Sequence, residues 1–527
     1  MKHAGIFSLF CFALIMNMLI PASPGHLTRA YAASALDSSM KPLADSLDQL
    51  QPAAVFRNFY QLTQVPRPSH HEEKATAFLA AFGRSLDLET ITDDVGNVII
   101  RKPATPGYEN RRSVVFQAHT DMVPQKTADK THDFLKDPIT AYVNGGWLTA
   151  DRTTLGADDG IGVAIIMALL QDKDIKHGPI EALFTVDEED GFTGVNGLKA
   201  GVLKSDYLIN VDWEGEGTFA IGSAGGVNVD AVGKYSQEPT RADMRAYQVS
   251  VKGLQGGHSG VDINKGSGSA SKLLARLLWS ADAFDVRIAA ISGGERYNAI
   301  TREAVALVAV PKAKSADFEK FIGSFDATVK SELAVTDPAV SVSAASTDRP
   351  AKVMNAYSQA MMLSAIYGSV NGVQRMSDTV PGLVETSCNL GILNADKGQW
   401  KAGILVRSTV DSARDDTAGK LAAVMRLAGA DVNIHDAYSG WRPDVNSPLL
   451  VLMKGVYHQT FGKEVGLVAV HAGLETSVIG VKYPKMDMVS LGPTLQGVHS
   501  PDEQLEIATV AKVYDLLTET LKQIPVR

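Results

Sequence analysis

Residues 180–190 read Ile-Glu-Ala-Leu-Phe-Thr-Val-Asp-Glu-Glu-Asp: an apolar run that stops abruptly at four consecutive acids. Its length and β-branched content predict a buried strand over Ile180–Val186, with Asp187, Glu188, Glu189 and Asp190 just past its carboxyl end. Upstream, Ile161–Leu170 (IGVAIIMALL) is apolar on every face and predicts a buried helix. Before it, Val114-Val115-Phe116 opens a short run that ends at His119, and downstream Tyr207–Val211 ends at Asp212. Leu467–Val470 and Met488–Leu491 repeat the strand signal near the far end of the chain. Strands alternating with helices predict a mostly parallel α/β sheet.

The entry to this region carries helix signals. Ser69-His70-His71-Glu72 reads as a capping box after Pro66 and Pro68, and Phe78, Leu79, Phe82 and Leu86 then mark one helical face. The middle differs. From about 226 to 440 the strands come at hairpin-like spacing with two long helices, over 269–281 and 417–427, each after a strand segment (247–251 and 402–406). That spacing points to two related α+β halves. The chain therefore divides into a first catalytic part (34–225), an inserted lid or dimerisation domain (226–440) and a second catalytic part (441–527).

Composition bounds the function classes. The 527 residues are 45% hydrophobic and 21% charged, which excludes a disordered, collagen-like or disulfide-scaffold chain. Fifty Lys+Arg against 59 Asp+Glu give a net charge of −9, which argues against nucleic acid as the main partner. Lys2, the apolar stretch Gly5–Ile20 and the small-residue patterns at Ala30-Tyr31-Ala32 and Ala33-Ser34-Ala35 have the layout of a cleaved signal over residues 1–33. They predict an exported protein, periplasmic or secreted, with no stable membrane span after cleavage. Cleavage would remove Cys11 and leave Cys388 as the only thiol, so no internal disulfide is expected.

Five segments place metal-type ligands at element ends: His119-Thr120-Asp121, Gly156–Gly160 with Asp158 and Asp159, the acids after Val186, Asp212 and His499. In open α/β sheets, ligands gather at the carboxyl ends of strands, and Asp158 precedes a helix whose first N–H groups favour an anion. Imidazole and carboxylate donors suit zinc and admit manganese or cobalt. Two ions about 3.5–4 Å apart would polarise a carbonyl and activate a shared water. Taken singly, each segment is as readily a capped turn, a solvated acidic loop or a surface histidine. No G-x-S-x-G, H-E-x-x-H or P-loop occurs, which disfavours serine catalysis and nucleotide hydrolysis.

The strings Gln117-Ala118-His119-Thr120-Asp121-Met122-Val123-Pro124-Gln125-Lys126, Thr153–Gly162 (TTLGADDGIG), Gly256-Gly257-His258-Ser259-Gly260, Asn298–Glu303 (NAITRE), His471-Ala472-Gly473-Leu474-Glu475 and Val498–Glu503 (VHSPDE) resemble the M20 metallopeptidase family in its aminoacyl-histidine (Xaa-His) dipeptidase branch. The likeness runs in family order from about 55 to 510. It implies a zinc-peptidase α/β catalytic domain with an inserted α+β lid, and two divalent metals, most readily Zn2+. His119 and Asp212 would hold one ion, Glu189 and His499 the other, with Asp158 bridging. Asp121 would orient His119, and Glu188 would be general base and then acid. His258, Asn298, Arg407 and the Gly473 backbone would hold a small peptide, with Arg407 on its C-terminal carboxylate. His471 and Glu475 would shape the site without binding metal, while His70, His71, His132 and His177 read as surface residues. The family also implies a homodimer.

Departures from the branch are the signal-like segment, Asp159 where Asn is expected, Asp187 where Thr is expected, and Thr301 where Pro is expected; the two acids would add negative charge near the metals. The implied activity is dipeptide hydrolysis. Deacylation of N-acyl amino acids, or non-catalytic capture of peptide or metal, are the alternatives.

Overall fold

The computed structural model describes residues 40–527. The segment read as an export signal lies outside the described residues. Two large sheets organise the rest.

The first sheet has eight strands, in the order Glu89–Thr92, Val98–Lys102, Ile180–Thr185, Val114–His119, Tyr207–Asn210, Asp487–Ser490, Thr218–Ser223 and Gly466–Val470. Its four middle strands, from Ile180–Thr185 to Asp487–Ser490, run parallel, so their carboxyl ends share one edge. The flanking Val98–Lys102 and Thr218–Ser223 run against them. The mostly parallel character is thus a property of the centre. The acids after Val186 lie beyond that edge, as does Asp212, while His119 ends its strand opposite Thr185.

The apolar helix is Ala157–Gln171, buried continuously from Ala157 to Leu170, and it belongs to the same core as the central strands. Helix Ala53–Thr63 crosses it, and Asn58 donates to the Ala164 carbonyl at 3.3 Å. The helix after the two prolines is Glu73–Ser85. It buries Ala75, Leu79, Ala80 and Gly83, whereas Phe78, Phe82 and Leu86 are half-buried at the border of that face. Gly83 permits a close approach, since a Cβ there would lie 2.3 Å from Thr90 Oγ1. The capping box does not form. The Ser69 hydroxyl donates to Asp121 Oδ2 at 2.8 Å, and Glu72 accepts from the His70 N–H at 2.8 Å. A buried carboxylate outcompetes the helix end for the serine.

The second sheet has nine strands, all paired antiparallel. Eight of them form two copies of one topology. In the first copy the chain runs Met244–Lys252, helix Ala270–Ser280, Arg287–Glu295, Ala304–Pro311, helix Ser315–Glu332, Ser341–Thr347. In the second it runs Gly225–Lys234, helix Ala356–Gly368, Val384–Asp396, Gln399–Ser408, helix Asp411–Leu427, Asp431–Tyr438. Each is a split β-α-β-β-α-β unit with spatial order 4-1-3-2, and they join through their second strands. The first copy is nested after the first strand of the second. The small pair Gln237–Pro239 with Lys352–Met354 closes the points where the chain enters and leaves it.

The sequence predicts two long helices here, and the structure has four. Helix Ser315–Glu332 is legible in Phe318, Ile322, Phe325 and Val329, all buried. Asp411–Leu427 begins six residues earlier than expected because its first turns are polar. The chain passes between the two sheets at Ser223–Gly225 and again at Tyr438–Trp441. There Ser223 and Trp441 exchange backbone hydrogen bonds of 2.9 and 2.8 Å. No helix among the described residues is long and apolar enough to cross a membrane.

Candidate metal centre

Side chains from five separate segments converge at the carboxyl edge of the first sheet. His119 Nε2 lies 3.1 Å from Asp158 Oδ1 and 3.3 Å from Asp212 Oδ1. His499 Nε2 lies 3.0 Å from Asp158 Oδ2 and 2.9 Å from Glu189 Oε2. The two oxygens of Asp158 therefore divide between two imidazoles, each with a carboxylate of its own. The sets His119–Asp158–Asp212 and Asp158–Glu189–His499 each bring ligand atoms within 4.8 Å of one another. Glu188 joins His119 and Glu189 in a third such set.

This donor set fits divalent cations. It offers only imidazole nitrogen and carboxylate oxygen, and Glu189 Oε1 is buried with no hydrogen-bond partner among the described residues. Packing these acids together without cations is costly. Burial pushes the Glu188 carboxyl well above its usual range and Asp212 up to about 6. Burial opposes a charge on His119, yet Asp212, Asp121 and Asp158 outweigh it and raise that imidazole well above its ordinary value. The site thus draws positive charge towards the point the two sets share.

Asp121 is fully buried, with Oδ1 3.3 Å from His119 Nδ1. It also accepts the backbone N–H groups of Glu188 (3.0 Å) and Glu189 (3.2 Å), so one carboxylate faces His119 and fixes the acidic loop. Asp159 is buried and accepts from the N–H groups of His119 (3.3 Å) and Gly162 (3.2 Å). Burial pushes its carboxyl well above the usual range.

Two supporting residues, Glu503 and Arg67, are not singled out by the sequence, whereas Glu475 is expected there to shape the site. Glu503 accepts four consecutive backbone N–H groups, from Leu155 (2.7 Å), Gly156 (3.0 Å), Ala157 (2.8 Å) and Asp158 (3.2 Å). It fixes the loop that carries Asp158 from a position four residues past His499. Arg67, 2% exposed, donates to the carbonyls of Thr120 and Asp121 at 2.9 Å each and to that of Gly156. Glu475 accepts from Gln117 (2.6 Å) and Thr185 (2.7 Å), and burial pushes it up to about 8. Glu503 ends the VHSPDE string and Arg67 stands between two prolines, but neither position announces a buried partner.

A second group comes from the other sheet. Arg407 is buried; Nη1 donates to the Tyr438 hydroxyl at 3.0 Å, and Nη2 lies 3.5 Å from His258 Nε2. Its Nε has no partner among the described residues. The short pair Gly257–His258 with Ala299–Ile300 sets exposed Asn298 beside His258, and the Asn298 carbonyl accepts the Ser259 N–H at 2.8 Å. His471 is buried 2.7 Å from the Ser387 hydroxyl, and burial and Arg407 lower its pKa to about 3. A Cβ on Gly473 would meet the Phe192 ring at 3.2 Å and the Tyr438 ring at 3.6 Å. The loop after Glu189 and the Arg407 group thus meet at Gly473. Among the histidines read as surface residues, His70 and His71 are exposed, but His177 is buried, with Nδ1 2.7 Å from the Gly178 carbonyl.

The sequence matches the profile of peptidase family M20/M25/M40 over residues 115–523. It is 41% identical over 482 residues to the cytosol non-specific dipeptidase of Escherichia coli (strain K12), covering 91% of this chain and 99% of that protein. The crystal structure of aminoacylhistidine dipeptidase from Vibrio alginolyticus superposes with a TM-score of 0.87 at 40% identity, over 91% of this chain and 98% of that one. Aminopeptidase PepT from Bacillus cereus, at 17% identity and a TM-score of 0.53, shares the fold. These matches overturn the expectation of export. The relative aligned over 99% of its length is named a cytosolic protein, whereas the export reading rests on the composition of residues 1–33 alone. Proteins of this family use divalent metal ions. Family profile, near-full-length relative and fold agree: the chain belongs to peptidase family M20/M25/M40.

Proposed function

We propose that this protein is a metal-dependent dipeptidase, acting on Xaa-His or a broader range of dipeptides. The observation that carries the reading is the division of the Asp158 oxygens between two imidazole–carboxylate sets, with Glu188 half-buried beside them. His119 and Asp212 would hold one ion, Glu189 and His499 the other, and Asp158 both. Zinc suits this donor set best, with manganese and cobalt as alternatives. When bound, the ions supply Lewis acidity that polarises the amide carbonyl and lowers the proton affinity of water.

The chain's own residues do the rest. Glu188 takes a proton from the attacking water and gives it to the amine nitrogen as the C–N bond breaks, leaving a free carboxylate and a free amine. Asp121 orients His119 and keeps Glu188 and Glu189 in place through their N–H groups. Arg407, steadied by Tyr438, receives the substrate's C-terminal carboxylate and so measures its length. His258, Asn298 and the Gly473 backbone complete that end. Residues 34–225 and 441–527 form the catalytic part, and 226–440 a lid that closes over bound peptide. Two copies would pair as a homodimer, as the family resemblance implies.

The test is elemental analysis of the purified protein, followed by turnover on a panel of dipeptides and N-acyl amino acids. Two equivalents of metal and cleavage of dipeptides are expected. Glu188→Gln should keep the metal and lose turnover. Turnover surviving in that variant would remove Glu188 from its role, and preferential cleavage of N-acyl amino acids would replace the dipeptidase reading.

A further inference from the structure

Asp187, where the branch is expected to carry threonine, has its carboxylate between His70 and Thr193. Its Oδ1 lies 3.2 Å from His70 Nδ1, and its Oδ2 accepts from the Thr193 hydroxyl. The other ring nitrogen of His70, Nε2, lies 2.7 Å from Asp190 Oδ2. One imidazole therefore spans the two acids that flank Glu188 and Glu189.

Three features show that this contact has work to do. The loop is weakly backed on this side, where a groove of about 600 Å3 is lined by His70, Glu72, Thr76, Gly96, Val186 and Asp187. Both ends of the contact are held in left-handed backbone, with φ +68° at His70 and +54° at Asp187, a conformation that costs free energy for residues other than glycine. The preceding residue grips the same loop from within, because Ser69 donates to Asp121, which in turn accepts the Glu188 and Glu189 N–H groups.

We propose that His70 is a positioning residue, a staple across Asp187 and Asp190 that holds the loop carrying Glu188 and Glu189 at the sheet edge. The proposal rests on the roles given above to those two glutamates. Asp187, Asp190 and Glu72 are the charged groups that face His70. The hydrogen bond to Asp190, then the charge of Asp187, raise its pKa. The carboxylates of Asp187 and Asp190 are thus bridged by one imidazole outside the metal centre.

His70→Asn is the informative variant, because asparagine tolerates the left-handed backbone but is too short to reach both acids. Exposed ion pairs are individually weak, so two of them predict a fall in kcat of roughly three- to tenfold with KM unchanged. Hydrogen exchange at amides 187–192 should quicken in the metal-loaded and in the metal-stripped protein alike. Asp190→Asn should give part of the same change, and the double variant no more than His70→Asn alone. His70→Arg, whose fork can meet both carboxylates, should restore slow exchange. Unchanged exchange in His70→Asn, or effects that add in the double variant, would overturn the staple. Exchange is read without metal or substrate, so it tests the staple even if the protein proves not to be a dipeptidase.

Discussion

Replacing Glu503 by glutamine tests how the centre is built without touching a ligand. The carboxylate accepts four N–H groups, two on each oxygen: Leu155 and Gly156 on Oε2, Ala157 and Asp158 on Oε1. An amide keeps one oxygen, so two of the four donors would face an NH2 group and lose their partner. A buried donor left unsatisfied costs about 1–3 kcal/mol. Two of them predict a loss of roughly 2–4 kcal/mol after the loop relaxes, seen as an earlier midpoint in urea unfolding. The relaxation would displace Asp158, which serves both metal sets, and a shift of about 1 Å in such a group can cost about a hundredfold in rate. Metal content should fall with kcat. A Glu503→Gln protein with unchanged urea midpoint, metal stoichiometry and turnover would refute the view that this carboxylate sets the position of Asp158.

Other outcomes follow from the same geometry. Arg67→Met leaves the carbonyls of Thr120, Asp121 and Gly156 without their donor and should destabilise by about 3–5 kcal/mol, measured by denaturant unfolding. Arg407→Lys removes the fork and should lower kcat/KM about ten- to a hundredfold, a charged hydrogen bond contributing about 1.5–3 kcal/mol; C-terminally amidated dipeptides should lose the same factor on the unmodified enzyme. Asp158→Asn should reduce bound metal at both positions, whereas Asp212→Asn should reduce it at one, as read by elemental analysis. Chelation should abolish turnover and lower the unfolding temperature, since an ion held at a thousand times its Kd stabilises by about 4 kcal/mol; re-addition of metal should restore both.

Legibility in the sequence follows the range of the forces involved. The central strands and the buried helix are readable because burial imposes apolar runs of characteristic length, as in Ile180–Thr185 and Ala157–Gln171. The capping box fails because Ser69 finds a stronger acceptor in Asp121, 52 residues away, which no local pattern can reveal. The first turns of Asp411–Leu427 are hidden for the opposite reason: they are polar and carry no apolar period.

The order of residues sets the chemistry available: imidazoles and carboxylates at the ends of apolar runs, and a carboxylate pair after one of them. Which atoms meet is a matter of the folded chain. Asp158 and His499 are 341 positions apart, yet their side chains lie 3.0 Å from each other. That meeting depends on the strand Asp487–Ser490 entering the sheet beside Tyr207–Asn210, long after its neighbours in the chain. Local sequence encodes propensity and periodicity. The pairing of distant strands is settled by the burial of the whole core, and the division of one carboxylate between two imidazoles follows from that pairing.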